Sequence, residues 1–119
     1  MLARSVLLAA IVGLVSAAEK LEGFPASVSC KLGTGGTADI SKAEMQKAIV
    51  GPKGTLVDNS ASNVASGACV SLKGIPLFAA DVTGKGSVQF AFDKAKDTYH
   101  FCSATGAIEN GFPSVCASK

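Results

Sequence analysis

Tryptophan is absent from this chain of 119 residues, and tyrosine and histidine occur once each, as Tyr99 and His100. The one arginine is Arg4. Each shortage narrows the chemistry. Without stacked aromatic platforms, carbohydrate binding loses its usual surface. Beyond Arg4 there is no guanidinium, hence no bidentate fork for a phosphate or carboxylate. No two of the four cysteines have zinc-knuckle spacing, and one histidine cannot complete such a site, so no metal or other cofactor is expected. No Asn-x-Ser/Thr acceptor occurs, which argues against N-glycosylation. Ser, His and Asp are all present, but without the Gly-x-Ser-x-Gly elbow of a hydrolase nucleophile. Gly33 to Thr37 is glycine-rich but lacks the Lys-Ser/Thr ending of a phosphate loop, and reads as a turn.

What is there begins with an export signal. Arg4 precedes an apolar run from Val6 to Val15, interrupted by Gly13, and Ser16-Ala17-Ala18 supplies small residues for cleavage. The run is too short to cross a bilayer, so residues 1–18 read as a signal peptide and 19–119 as a single secreted domain, off the membrane once the signal is removed. In that domain ten lysines face nine acids with no basic block. Binding to nucleic acid driven by net charge is therefore not expected, although a lysine-lined groove remains compatible with the composition. Cys30, Cys69, Cys102 and Cys116 all lie in the exported part. An even number in an oxidising compartment implies two disulfides, in one of three pairings. A Cys30–Cys116 bridge would stabilise by about 4 kcal/mol in the chain-entropy model.

Local patterns predict an α+β domain, one short helix packed on an antiparallel sheet. Val28, Cys30 and Leu32 alternate as a strand should. Ser41 and Glu44 form a Ser-x-x-Glu capping box, with Ile40 and Met45 at the staple positions and Gly51-Pro52 as the stop. A helix over 42–50 follows, with Met45, Ala48 and Ile49 facing inward. Residues 52–67 read as a loop. From Ala68 onward alternation predicts strands through Val70 and Leu72, then Ile75 to Phe78 with Val82, then Val88, Phe90 and Phe92, then Tyr99 and Phe101. Asp93 to Asp97 reads as a hairpin tip rather than a calcium loop. His100 points away from Tyr99 and Phe101, beside Cys102. Its conceivable acid partners for general acid–base work are Glu44 and Glu109, but the spacing does not bring either to it, and a packing histidine is the simpler reading.

The order of elements resembles the small secreted fungal guanyl-specific ribonucleases, and still more their non-catalytic relatives, the ribonuclease-like effectors of plant-pathogenic fungi. Three segments carry the resemblance: Ser29-Cys30-Lys31 through Asp39-Ile40-Ser41 and Ala48-Ile49; Ile75-Pro76-Leu77, similar to an "EFPI" strand; and Thr105-Gly106-Ala107 with Asn110-Gly111-Phe112 and Cys116, similar to an "HTGASGNNFxxC" ending. The resemblance implies a microbial-ribonuclease-like fold and the disulfides Cys30–Cys116 and Cys69–Cys102. It also places the family's catalytic glutamate on Gly74, its arginine on or near Ser87 and its histidine on Ala104. Hydrolysis through a cyclic phosphate needs a base, an acid and a cation on the phosphate. With all three replaced, the expectation is a monomeric pseudo-ribonuclease that binds a host protein or host RNA, outside host cells or after translocation into them. The alternatives are an active ribonuclease with a rearranged site and a killer-toxin-like cysteine-stapled α/β effector, which a Cys30–Cys69 bridge would favour.

Overall fold

The computed structural model describes residues 20–51, 54–64 and 69–119. The expected signal peptide, residues 1–18, lies outside them. The fold is α+β, built on two sheets with two disulfides. The larger sheet contains β1 (Lys20–Glu22), β4 (Thr55–Asp58), β5 (Leu77–Val82), β6 (Gly86–Asp93), β7 (Thr98–Glu109) and β8 (Phe112–Val115). Its order is β1-β7-β6-β5-β4, and β8 is hydrogen-bonded to the far end of β7. The smaller sheet, ordered β3-β2-β9, joins β2 (Ser27–Lys31), β3 (Thr37–Ser41) and β9 (Ala117–Ser118). The helix α1 spans Lys42–Ile49.

α1 forms where the capping box predicts it. Ser41 Oγ accepts from the Glu44 N–H at 3.1 Å, and Glu44 Oε1 accepts from the Ser41 N–H at 3.0 Å. Two of the first-turn donors are thereby satisfied. Met45 and Ile49, one turn apart, are fully buried. The helix ends one residue earlier than expected because Val50 is extended, at φ −70° and ψ 135°.

Val88 and Phe90 turn toward α1 and the small sheet. The core on this side joins Val28, Cys30, Ile40, Met45, Val88, Ala104 and Cys116 to a neighbouring cluster of Ile49, Ala80, Phe90 and Tyr99. Tyr99 fixes the chain just past the helix, its hydroxyl accepting from the Gly51 N–H at 3.1 Å. Gly86 and Gly106 let the small sheet approach closely. A Cβ on Gly106 would lie 2.5 Å from the Lys31 carbonyl oxygen and 3.2 Å from Cys30 Cβ.

The opposite face of the large sheet is covered at one end by a second core, in which Ala61, Cys69, Leu77, Ala91 and Cys102 are buried against Leu72 and Ile75. Gln89 pairs with Ser103 while Phe90 pairs with Phe101, so Cys102 is the extra residue of a β-bulge. The bulge holds Cys102 on this outer face for its bridge to Cys69 and returns Ala104 to the helix side beside Val88.

Three expectations are corrected. The loop expected over 52–67 contains the edge strand β4 and a single helical turn, α2 (Ala61–Val64). β4 has no alternation to mark it, because Thr55, Leu56 and Val57 are all exposed. The strand expected through Val70 and Leu72 is a turn, closed by Leu72 N–H to the Cys69 carbonyl at 3.1 Å. Here the disulfide and the burial of Leu72, rather than pairing, set the backbone. Finally, the large sheet is not wholly antiparallel, since β1 lies parallel to β7.

Candidate functional site

Beyond the second core, toward Ser87, no described residue is buried on the outer face of the large sheet, and that face is polar. Register places Asp81, Ser87 and Thr105 in one row across β5, β6 and β7, and Ala79, Gln89 and Ser103 in the next. Ser103 Oγ donates to Gln89 Oε1 at 2.8 Å, and Gln89 Nε2 donates to Ser87 Oγ at 3.2 Å. Ser87 Oγ in turn donates to the Ala80 carbonyl at 3.4 Å. This chain is neutral throughout, and the hydroxyl protons are already committed. A serine becomes a nucleophile when a base takes its proton, and among the described residues no base is hydrogen-bonded to Ser87 or Ser103.

The same face continues into an apolar lip. A second irregularity sets Gly106 and Ala107 opposite Ser114 of β8. Val115 pairs with Thr105 and Ile108 with Pro113, which puts these apolar residues along the edge of the polar floor. Ile108 and Val115 are 70% and 76% exposed, and Phe112 on the same hairpin is 74% exposed. Large apolar groups this accessible, gathered on one hairpin and rimmed by polar residues, have the character of an interaction surface.

The residues singled out by resemblance do not converge. Gly74 sits in the loop before β5, at φ +74°, with its N–H donating to Ser60 Oγ at 2.8 Å. Ser87 is on the outer face. Ala104, 2% exposed, belongs to the core on the helix side. The sulfurs pair as Cys30–Cys116 and Cys69–Cys102, the arrangement the resemblance implies.

His100 shares the outer-face row of Leu77 and Ala91, in the covered end of the sheet. Its Nδ1 lies 3.9 Å from Glu22 Oε2. The two acids considered from sequence are engaged elsewhere: Glu109 with Lys31 at 3.0 Å and Glu44 with Lys85 at 2.8 Å. Lys85 and the Ser41 N–H hold the Glu44 carboxyl below its ordinary value against a smaller opposing effect of burial. The other outer-face acid, Asp81, is in the Ser87 row, four residues of β6 away from the His100 row. That is about 13 Å along the strand direction alone, too far for both groups to meet one substrate atom.

Asp93 is committed to local structure, its Oδ1 accepting from the Ala95 N–H at 3.2 Å. Among the described residues no cluster of His, Cys, Asp and Glu is arranged to hold a metal ion, and no helix is long and apolar enough to cross a membrane. Two disulfides suit an oxidising compartment. Set against family models, curated proteins and solved structures, the chain matches none.

Sequence reasoning missed Gln89, Ser103 and the lip. The alternation of Ser87 and Gln89 with Val88 and Phe90 does contain the signal for the floor. Nothing local marks the bulge at Cys102 that brings Ser103 beside Gln89.

Proposed function

We propose that the chain is a secreted, non-catalytic, ribonuclease-like effector that binds a host protein through the open face of its large sheet. The observation that carries this reading is the pairing of a neutral hydrogen-bonding floor, Ser87, Gln89 and Ser103, with the exposed apolar lip of Ile108 and Val115. Apolar groups beside satisfied polar ones make the core and rim of a protein interface. Protein is favoured over RNA because none of the outer-face positions of β5, β6 and β7 is a lysine. Lys31, Lys85 and Lys119 are tied to Glu109, Glu44 and Asp39. A nucleic-acid backbone would find no cation on the floor to release its counterions. Resemblance supplies the host, a plant, and the disulfides support an extracellular route.

Two measurements test the proposal. Oxidised protein incubated with single-stranded RNA is expected to give no turnover; turnover that disappears in His100→Ala would overturn the non-catalytic reading. Proteins captured from host extract are expected to be lost with Ile108→Glu/Val115→Glu, while RNA affinity stays weak in both forms. Capture unaffected by the double substitution would place the contact surface elsewhere.

A further inference from the structure

On the helix side of the large sheet, the aromatic row extends past the area that α1 covers. Phe90 and Tyr99 are buried with Ile49, whereas Phe78 and Phe92 are half-buried and line a cleft of about 700 Å³. No residue of α1 lines it. Each half-buried ring is backed by a buried one: Phe78 stacks on Phe90 at 5.5 Å and Phe92 on Tyr99 at 4.6 Å. Ile75 and Pro76 also line it, and the Phe92 N–H donates to the Pro76 carbonyl at 3.2 Å. The size falls within the range of small-ligand sites, and an apolar interior with few polar groups at one end is their usual composition.

The polar end is the turn between β6 and β7. Asp93, Lys94 and Asp97 line the cleft there, two carboxylates to one ammonium, with Lys96 on the same turn. Asp93 uses one oxygen to cap the turn. Asp97 is held in the left-handed region at φ 48°, with its backbone carbonyl accepting from the Lys20 N–H at 2.9 Å. Its carboxylate has no ion-pair partner among the described residues. Aromatic rings and carboxylates lining one cleft both attract a positive group.

We propose that this cleft binds a small amphipathic organic cation, with an alkyl chain or single ring over Phe78 and Phe92 and the ammonium group at Asp97. The site is separate from the open face on the other side of the sheet and does not depend on the function assigned there.

The test uses three probes of equal chain length: octyltrimethylammonium, octanoate and 1-octanol. Binding to the oxidised protein is followed by the backbone amide resonances of Phe92, Ala95 and Asp97, and by the emission of Tyr99, the sole tyrosine in a chain without tryptophan. The ammonium probe is expected to shift these amides saturably, with octanol weaker and octanoate weakest. Asp97→Asn keeps a residue that tolerates the left-handed conformation, and should weaken the ammonium probe about 3–5-fold while leaving octanol unchanged. Ala95→Phe, on an exposed turn, fills the cleft and should abolish both. Octanoate binding as tightly as the ammonium probe overturns the proposal. So does an ammonium affinity unmoved by Ala95→Phe, or the absence of shifts at these amides.

Discussion

A side chain's function depends on the face it occupies, and position 104 illustrates this. Ala104 is packed with Val88, Cys30 and Cys116 in the helix-side core. Ala104→His is therefore expected to supply no RNA hydrolysis. It should destabilise the domain by about 1–3 kcal/mol, as overpacking and burial of an imidazole do, measured by urea unfolding. Glu44 offers a different residue-scale test. Its lowered pKa arises first from Lys85, then from the Ser41 N–H. A carboxylate with a depressed folded-state pKa stabilises above its unfolded value and loses that contribution as the pH falls through the folded value. Glu44→Gln keeps the cap and removes the charge. Its melting temperature is expected to lie below that of the parent at pH 7, with the gap closing as the pH falls below about 4.5. Thermal unfolding followed by circular dichroism from pH 7 to pH 3 checks both sign and window.

At the scale of elements, some of the structure could be read locally and some could not. α1 was legible because its signals lie within a few residues of one another: Ser41 and Glu44 cap it, and Met45 and Ile49 share a face. β6 was legible because Val88 and Phe90 alternate with half-buried polar residues. β4 was not, since its exposed residues are a strand only by virtue of pairing with β5. Val70 and Leu72 imitate a strand, yet the Cys69–Cys102 bridge fixes that segment as a turn over the outer face. The neutral floor depends on the bulge at Cys102, which is a property of cross-strand register and has no local signature.

For the whole molecule, the two disulfides close different loops. Cys30–Cys116 spans 86 positions and joins β2 to the tail, whereas Cys69–Cys102 spans 33 and clamps the second core to the sheet. The chain-entropy model ranks the first above the second by about 0.9 kcal/mol. Cys30→Ser/Cys116→Ser should accordingly lose more stability in urea unfolding than Cys69→Ser/Cys102→Ser. The reverse order would mean that packing in the second core, rather than loop closure, dominates.

Short-range causes along the chain suffice for a capped helix, for alternating strands, and for a chemistry without a guanidinium beyond Arg4. Tertiary structure decided which face of the large sheet stays open, that Ala104 is buried while Ser87 is not, and where the apolar lip lies. Those outcomes follow from strand register, two irregularities in β7 and a disulfide. Each of these couples residues far apart in the chain, so no window of neighbouring residues contains them.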